Sequence, residues 1–242
     1  MTRRLRMFAG PNGSGKSTVK TDIPASFLGT YLNPDEIERL VRQDGFYDLA
    51  GVSLSVEEQE IVSFFDAHPL TRKAGQQQSS VVGVDEAAGR IYFVAERFNS
   101  YTSAILTDFL RQKLIQTGHS FTFETVMSSA DKLQTLQKAQ QEGFRTYLYY
   151  VATEDPLINV ARIQHRVRTG GHPVPTDKVI ERYHRSLNLL LDAIRLTNRA
   201  YIFDNSGSSR VWVAEVTEGT SIQLQTDSTP GWFVKAVLDK LS

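Results

Sequence analysis

Cysteine is absent from this chain of 242 residues. Without thiolates, disulfides and cysteine-built zinc sites are excluded, and a cytoplasmic location is the simplest interpretation. The charge is balanced as well, with 27 Lys and Arg against 27 Asp and Glu. A chain with no net charge has no overall field that attracts nucleic acid or an anionic membrane, so we expect neither as a partner.

Long apolar runs are also missing. No stretch approaches the ~18 residues that a membrane-spanning helix needs, and the amino-terminal segment has no apolar region typical of a secretion signal. The five histidines are scattered without the spacing of metal ligands, so we expect no histidine-built metal site. With 40% hydrophobic residues, the chain has enough apolar material for one α/β core with an insertion.

What the chain does have is a glycine-rich loop directly after its first apolar run, residues 5–9. The loop matches the pattern G-x-x-x-x-G-K-[ST] and consists of Gly10, Pro11, Asn12, Gly13, Ser14, Gly15, Lys16, Ser17 and Thr18. Its glycines can adopt the φ values that turn successive N–H groups towards one anion, and a helix starting near Lys16 would add its positive dipole end. In such loops the lysine reaches the β- and γ-phosphates, and a hydroxyl at the position of Ser17 binds Mg²⁺. The loop predicts that the chain binds a nucleoside triphosphate.

Short apolar runs alternate with helical patterns along most of the chain. This predicts an α/β fold of the P-loop NTPase type, with a mainly parallel sheet covered by helices on both faces. The predicted core strands are residues 5–9, 30–33, 120–124, 147–152 and 200–204. Predicted helix caps are Ser128 or Ser129, Asp155 and Thr176. Residues 211–216 and 221–225 alternate like an antiparallel pair, and a short helix over 232–241 follows.

Residues 42–99 interrupt this alternation. Ser55 and Glu58 match a capping box ahead of an apolar stretch, and residues 81–85 and 90–95 predict a hairpin around Gly89. A helix over about 100–116 then returns to the core pattern. We interpret residues 42–99 as an insertion into a single domain that spans residues 1–242.

Polar residues follow the second and third predicted strands, where ligands of open α/β sheets bind. Asn33, Pro34 and Asp35 come after the second strand, and Asp35 is a candidate base for an acceptor hydroxyl. The alternative is that Asp35 only caps a helix over residues 36–42. Glu124 and Thr125 end the third strand, and Glu124 is a candidate to hold a Mg²⁺-bound water or to orient the substrate. The alternative there is an ordinary surface carboxylate.

A basic stretch later in the chain has the features of a lid. Arg162 and Arg166 are four residues apart, so on a helix they project from one face. Gly170-Gly171 would end that helix and provide a hinge, and Arg182 is a further candidate for contact with the substrate. We predict that residues 156–185 form a lid whose arginines stabilise charge on the transferring phosphoryl group. The alternative is a solvated basic face.

The last predicted core strand ends at Asp204-Asn205. In P-loop folds the loop that binds the base lies in about this position, so we predict the adenine pocket near Asn205 and Ser206. Asp204 also matches a strand-end acid of the kind that binds Mg²⁺ in other P-loop proteins. The sequence has no Asn-Lys-x-Asp guanine signature, which favours ATP as the nucleotide.

These motifs together resemble the zeta-toxin family of P-loop kinases, in the bacterial zeta-like branch whose members are often called predicted ABC-type ATPases. The motifs are Gly10-Pro-Asn-Gly-Ser-Gly-Lys-Ser-Thr, Asn33-Pro34-Asp35, Phe123-Glu124-Thr125 and the stretch from Arg166 to Pro175 followed by Arg182-Tyr183. The resemblance covers residues 5–206. An ABC transporter ATPase is excluded, because no Leu-Ser-Gly-Gly-Gln signature occurs.

The resemblance implies phosphoryl transfer from ATP to a sugar hydroxyl of UDP-N-acetylglucosamine, often within a toxin–antitoxin pair. An antitoxin protein is therefore an implied partner. In the family pattern Asp35 corresponds to the catalytic base, Lys16 to the P-loop lysine and Glu124 to the acid that ends the third strand. Arg162 and Arg166 fall in the lid region, and Val126 stands where the toxins have a threonine.

Two other functions use the same loop. One is a nucleotide-dependent switch that acts on a protein partner, with residues 42–99 as the segment ordered by the γ-phosphate. The other is a kinase for nucleic-acid ends, which the balanced charge and the lack of a basic and aromatic stripe disfavour. We predict a small-molecule kinase.

Overall fold

The computed structural model describes residues 2–74, 81–169 and 173–241. The strands, in chain order, are β1 (Arg4–Ala9), β2 (Thr30–Leu32), β3 (Phe46–Asp48), β4 (Val81–Asp85), β5 (Arg90–Phe93), β6 (Phe121–Thr125), β7 (Arg145–Ala152), β8 (Arg199–Asp204), β9 (Val211–Thr217) and β10 (Ser221–Leu224). The helices are α1 (Lys16–Lys20), α2 (Ala25–Leu28), α3 (Pro34–Asp44), α4 (Glu58–Ala67), α5 (Ser100–Gln116), α6 (Asp131–Gln141), α7 (Pro156–Arg168), α8 (Thr176–Asn188), α9 (Leu190–Arg195) and α10 (Gly231–Ala236). Within those three ranges, no helix is both long and apolar enough to cross a bilayer.

The chain divides into two compact units. The first consists of Met1–Gly29 and Thr122–Ser242, and the second of Thr30–Phe121. The second unit contains the whole predicted insertion, residues 42–99, together with α3 and α5. The assignment of residues 1–242 to a single domain stays a prediction.

Among the described residues, the strands of the first unit are hydrogen-bonded in the order β10-β9-β8-β7-β1-β6. β1 runs parallel to β7, with Ala9 opposite Tyr150, and β7 runs parallel to β8, with Ala152 opposite Asp204. β9 and β10 continue the sheet in antiparallel orientation. The carboxyl ends of β1, β7 and β8 therefore meet at one edge, and the predicted α/β fold with an antiparallel extension is confirmed.

Alternating residues of the three parallel strands are buried on one face of this sheet. The side chains of that face, all 0% exposed, are those of Leu5, Met7, Ala9, Leu148, Tyr150, Ala152, Ala200 and Ile202. On the opposite face, Phe8 packs against Val19 of α1 and stacks on Tyr149, with 4.8 Å between the ring centroids. Tyr149 stacks in turn on Tyr201 at 5.1 Å, and burial raises the pKa of Tyr149 to about 12. These contacts fix β1 and the start of α1 on either side of the glycine-rich loop.

Some helix ends follow the predicted local chemistry. Asp155 accepts a hydrogen bond from the N–H of Leu157 at 2.8 Å, and Pro156 is the first residue of α7. Proline suits this place because the first helical N–H has no partner within the helix. Gly143 follows the end of α6 with φ 78°, as predicted for a glycine just beyond a helix.

Three predicted caps are wrong. Ala130 precedes α6, because the hydroxyl of Ser129 is bonded to the carboxylate of Asp131 instead of a backbone N–H. Thr176 is the first residue of α8 and not its cap, since Pro175, with φ −54°, leads directly into the helix. The box of Ser55 with Glu58 does not form, because Oε2 of Glu58 accepts from the N–H of Val84 at 3.3 Å.

The second unit has its own three-stranded antiparallel sheet, in the order β3-β5-β4. The predicted hairpin of β4 and β5 is confirmed, with Gly89 at φ 65° in its turn. β3, a strand of three residues, is not among the predicted strands. α5 begins at Ser100 as predicted, and Asn99 caps it by accepting from the N–H groups of Tyr101 and Thr102.

The start of α3 decides between two interpretations of Asp35. Asn33 is extended at φ −125°, and its Oδ1 accepts from the N–H groups of Asp35 at 2.9 Å and Glu36 at 3.4 Å. Pro34 is the first helical residue. The cap of α3 is therefore Asn33, and the alternative that the carboxylate of Asp35 caps this helix is wrong.

Replacement of the true cap should destabilise the protein measurably. We expect Asn33→Ala to lower the free energy of unfolding by about 1 kcal/mol, because two N–H groups lose their acceptor. Asp35→Asn keeps the cap and should cost less than half as much. Urea unfolding followed by circular dichroism measures both, and equal losses would contradict this assignment.

Candidate functional site

The glycine-rich loop joins β1 to α1 in the first unit. Gly10, Gly13 and Gly15 have φ values of 139°, 75° and 98°, which side chains with a Cβ rarely adopt. The backbone conformation predicted for these glycines is therefore present. α1 begins at Lys16, as predicted, and has only five residues, so its dipole is that of little more than one turn.

Close packing also requires glycine at these positions. A Cβ on Gly10 would lie 2.0 Å from the carbonyl oxygen of Val151 in β7. A Cβ on Gly13 would lie 2.8 Å from the carbonyl oxygen of Asn159 in α7. The loop is thus held directly against the ends of β7 and α7, and its shape is set by backbone contacts.

The side chain of Lys16 lies along the loop. Its Nζ donates to the carbonyl oxygens of Gly10 at 2.8 Å and Pro11 at 3.0 Å. An ammonium in this position places a full positive charge beside the backbone of the loop. Positive charge and several N–H donors together are the requirement for binding a triphosphate.

Ser17 and Glu124 meet beside the loop, as the sequence predicted for the end of the third strand. The hydroxyl of Ser17 donates to Oε1 of Glu124 at 3.0 Å. A hydroxyl and a carboxylate are hard oxygen ligands of the kind that Mg²⁺ prefers. Thr125, the next residue, accepts at Oγ1 from the N–H of Met127 at 3.0 Å and so shapes the turn after β6.

The end of β8 also reaches the loop. Nδ2 of Asn205 donates to the carbonyl oxygen of Ser14 at 2.8 Å, so the amide that we predicted beside the base holds the loop itself. Asp204 is 8% exposed and accepts from Nε1 of Trp232 at 2.7 Å and from the N–H and the hydroxyl of Ser206. These three hydrogen bonds make Asp204 a structural anchor and give the alternative of a Mg²⁺ site no support.

α7 approaches the loop from the other side. Asn159 is fully buried, and its Nδ2 donates to the carbonyl oxygen of Asn12 at 2.6 Å. Its Oδ1 accepts from the hydroxyl of Thr153. Sequence reasoning missed Asn159, although an asparagine between the apolar residues Ile158 and Val160 was a signal for a buried polar contact.

The arginines of the predicted lid lie on α7 and α8. Nη1 of Arg162 is buried, and no hydrogen-bond partner for it occurs among residues 2–74, 81–169 and 173–241. The side chain of Arg166 is exposed and that of Arg182 is half-buried. The hinge predicted at Gly170-Gly171 and the neighbouring His172 lie outside the described residues.

Two predicted site residues belong to the second unit. Asn33 and Asp35 lie at the start of α3 in Thr30–Phe121, whereas the loop, Glu124, Arg162 and Asn205 belong to the first unit. Within the first unit, side-chain hydrogen bonds join the loop to Glu124, Asn159 and Asn205. The participation of Asn33 and Asp35 stays a prediction.

Comparison with known proteins identifies the family. A family model described as zeta toxin matches residues 67–217, which is more than half of the chain. The chain belongs to the zeta toxin family. The match begins after the glycine-rich loop, so the family assignment and the loop motif rest on different residues.

Solved structures with a similar fold include chains of two complexes. A complex of AvrRxo1-ORF1 with AvrRxo1-ORF2 gives a TM-score of 0.54 at 13% identity, over 95% of this chain and 65% of that one. The PezAT chromosomal toxin–antitoxin system of Streptococcus pneumoniae gives 0.50 at 16% identity, over 98% of this chain and 79% of that one. At these identities the likeness shows the fold, and the chain spans less than two thirds of the AvrRxo1 chain.

An uncharacterised protein of Haemophilus influenzae is 36% identical over 63 residues, which is 26% of this chain and 45% of that protein. This short match gives no information about activity. The family match confirms the predicted zeta-toxin resemblance, and the solved structures confirm the predicted fold.

Asp204 offers a test of the assignments at the strand ends. We expect Asp204→Asn to lower the melting temperature, because its hydrogen bonds to Trp232 and Ser206 are weakened. The activity of this variant should depend on the Mg²⁺ concentration in the same way as that of the unchanged protein. A shift of the Mg²⁺ requirement by 10-fold or more, measured by titration of activity, would contradict the structural assignment of Asp204.

Proposed function

We propose that this protein is an ATP-dependent kinase that transfers the γ-phosphate to a hydroxyl of a nucleotide sugar, with UDP-N-acetylglucosamine as the first candidate. The observation that carries this proposal is the loop with Lys16 over it and the pair Ser17–Glu124 beside it, in a chain of the zeta toxin family. Phosphoryl transfer needs mostly positioning and charge stabilisation, and these side chains are suited to both.

ATP is the proposed phosphate donor. The AvrRxo1 complex has also been solved with ATP, in a structure with a TM-score of 0.53 to this chain at 13% identity. The sequence has no guanine-specific signature that would favour GTP. Gly10–Thr18 supply the phosphate-binding groups of this proposal.

Ser17 is the proposed Mg²⁺ ligand, with Glu124 beside it holding a water of the ion or orienting the acceptor. The hydrogen bond of 3.0 Å between them shows that a hydroxyl and a carboxylate oxygen converge at this point. When bound, the ion would neutralise charge on the β- and γ-phosphates. Thr125 and Arg182 are proposed to contribute to binding of the acceptor.

Asp35 is the proposed general base, which accepts the proton of the acceptor hydroxyl. Because Asn33 caps α3, the carboxylate of Asp35 is not needed for the helix start. The residue resembles the family's catalytic aspartate in its Asn-Pro-Asp sequence, and Asn33 is proposed to help to bind the substrate.

Arg162 and Arg166 are proposed to stabilise charge on the transferring group. A buried guanidinium nitrogen without a partner is costly, and Nη1 of Arg162 has none among the described residues. A phosphate oxygen would satisfy it with a charge-assisted hydrogen bond. This supports Arg162 more strongly than Arg166, which is exposed.

An antitoxin is the proposed protein partner, because the PezAT structure is described as a toxin–antitoxin system. The alternative of a regulatory switch has no comparable support from the family or from solved structures. Nucleic acid and membranes are not among the proposed partners.

The reaction is tested by ³¹P NMR of the protein with ATP, Mg²⁺ and UDP-N-acetylglucosamine. We expect a new phosphomonoester signal, and Lys16→Ala should reduce its rate of formation by about 100-fold or more. Release of inorganic phosphate without a new ester, over a panel of nucleotide sugars, would overturn the kinase proposal and favour the switch.

The base is tested by Asp35→Asn. We expect transfer to fall by at least about 100-fold, because the acceptor loses its base, while the Kd for ATP stays within about 2-fold of the unchanged protein. Glu36→Gln, in the same turn of α3, is the matched control and should keep the rate. Retained transfer in Asp35→Asn, measured with the same acceptor, would exclude Asp35 as the base.

A further inference from the structure

Two asparagine side chains hold carbonyl groups of the phosphate-binding loop. Asn159 donates to the carbonyl of Asn12 at 2.6 Å, and Asn205 donates to the carbonyl of Ser14 at 2.8 Å. The two residues come from different elements, α7 and the end of β8, and lie 147 and 191 positions along the chain from their acceptors. They approach alternate peptide groups of the same loop.

Each of these bonds also sets the direction of the next N–H group in the loop, because of the geometry of the peptide bond. The carbonyl of one residue and the N–H of the next lie in one plane and point in opposite directions. A carbonyl of Asn12 that points to Asn159 therefore turns the N–H of Gly13 away from Asn159. In the same way, the bond from Asn205 to Ser14 turns the N–H of Gly15 away from Asn205. Because these two carbonyls are fixed, the directions of the N–H groups of Gly13 and Gly15 are fixed as well.

The glycines are matched to these side chains. A Cβ on Gly15 would lie 2.3 Å from Nδ2 of Asn205, and a Cβ on Gly13 would lie 3.2 Å from Cγ1 of Ile163. Asn205 and α7 can approach the loop only because both loop positions lack a side chain. Glycine at positions 13 and 15 thus permits two things: the positive φ angles of the loop, and the close approach of α7 and Asn205 to it.

A second bond fixes the orientation of the Asn159 amide, and the sheet fixes the backbone of Asn205. Oδ1 of Asn159 accepts from the hydroxyl of Thr153, so Nδ2 faces Asn12. The carbonyl of Thr153 accepts from the hydroxyl of Tyr183 in α8 at 2.6 Å. The N–H of Asn205 donates to the carbonyl of Ala152 at 2.8 Å, which continues the parallel pairing of β8 with β7. Both side chains are held by the sheet edge that carries the loop.

We propose that Asn159 and Asn205 are positioning residues that orient the N–H donors of Gly13 and Gly15 towards the phosphates. This proposal rests on one part of the proposed function, the binding of a nucleoside triphosphate by the loop. Asn159 has a second effect, because Arg162 lies three residues further along the same helix. The bond to Asn12 thus also sets the position of Arg162 relative to the loop.

The test compares Asn205→Leu with Asn198→Ala. Leucine has a similar shape to asparagine and adds no charge, but it cannot donate to Ser14. Asn198 is the matched control, because its side chain also bonds a distant backbone group, accepting from the N–H of Thr146 at 2.9 Å, but at the end of β7 away from the loop. Asn159→Ala is a second variant, in case Asn205→Leu fails to fold.

We expect Asn205→Leu to raise the Kd for ATP with Mg²⁺ by about 10-fold or more, since a misaligned N–H loses a charge-assisted bond. Asn198→Ala should change it by less than about 2-fold at a comparable loss of melting temperature. In ¹⁵N NMR spectra of the nucleotide-free proteins, Asn205→Leu should change the chemical shift of the Gly15 amide more than that of the Gly13 amide. Asn159→Ala should change the chemical shift of the Gly13 amide more than that of the Gly15 amide. Isothermal titration calorimetry gives the affinities.

Unchanged glycine amide signals in the folded variants would overturn the inference, whatever the nucleotide. So would an unchanged ATP affinity in Asn205→Leu. If the unchanged protein does not bind ATP at all, the proposed function fails instead, and the NMR comparison still decides whether the asparagines orient the loop.

Discussion

The site depends on the contact between the backbone of the glycine-rich loop and the backbone of its neighbours. With 2.0 Å between a Cβ on Gly10 and the carbonyl of Val151, any side chain at position 10 would push β1 away from the end of β7. The loop can therefore keep its shape only while the parallel pairing of β1 with β7 is intact. Phosphate binding by backbone N–H groups is in this way tied to the register of the sheet.

The packing on the sheet supports that register on both faces. One face is formed by fully buried side chains, mostly aliphatic, and the other by the stacked rings of Phe8, Tyr149 and Tyr201 across three adjacent strands. Each ring comes from a residue directly opposite the next in the strand pairing. A slip of one residue between these strands would place every one of these side chains on the wrong face. The row of stacked rings and the fully buried face thus both oppose a slip that would distort the loop.

The sequence was sufficient for the parts of the site that are local. The strand, the three glycines, Lys16 and Ser17 are contiguous, and their chemistry requires those residue types at that spacing. Asp155-Pro156 and Gly143 were predicted correctly for the same reason, since each acts on its own turn of helix. The chain order of strands 5–9, 147–152 and 200–204 also gave the α/β class.

The caps predicted at Ser129 and Thr176 failed locally, but the other failures are contacts between distant parts of the chain. The box of Ser55 with Glu58 satisfies the local rule, but the carboxylate of Glu58 is used by Val84, 26 residues later. Asn205 was assigned to the base because strand-end position alone does not show what its amide meets. Asn159 was missed because its acceptor, Asn12, is 147 residues away, and a single sequence has no signal for that pairing.

The polar residues of the site thus fall into two groups. Sequence reasoning found the residues whose partners are neighbours in the chain. It misplaced or missed residues whose partners are remote. The loop itself combines both kinds of information: its glycines are a local motif, and the carbonyls between them are held by side chains that only the folded sheet brings within reach.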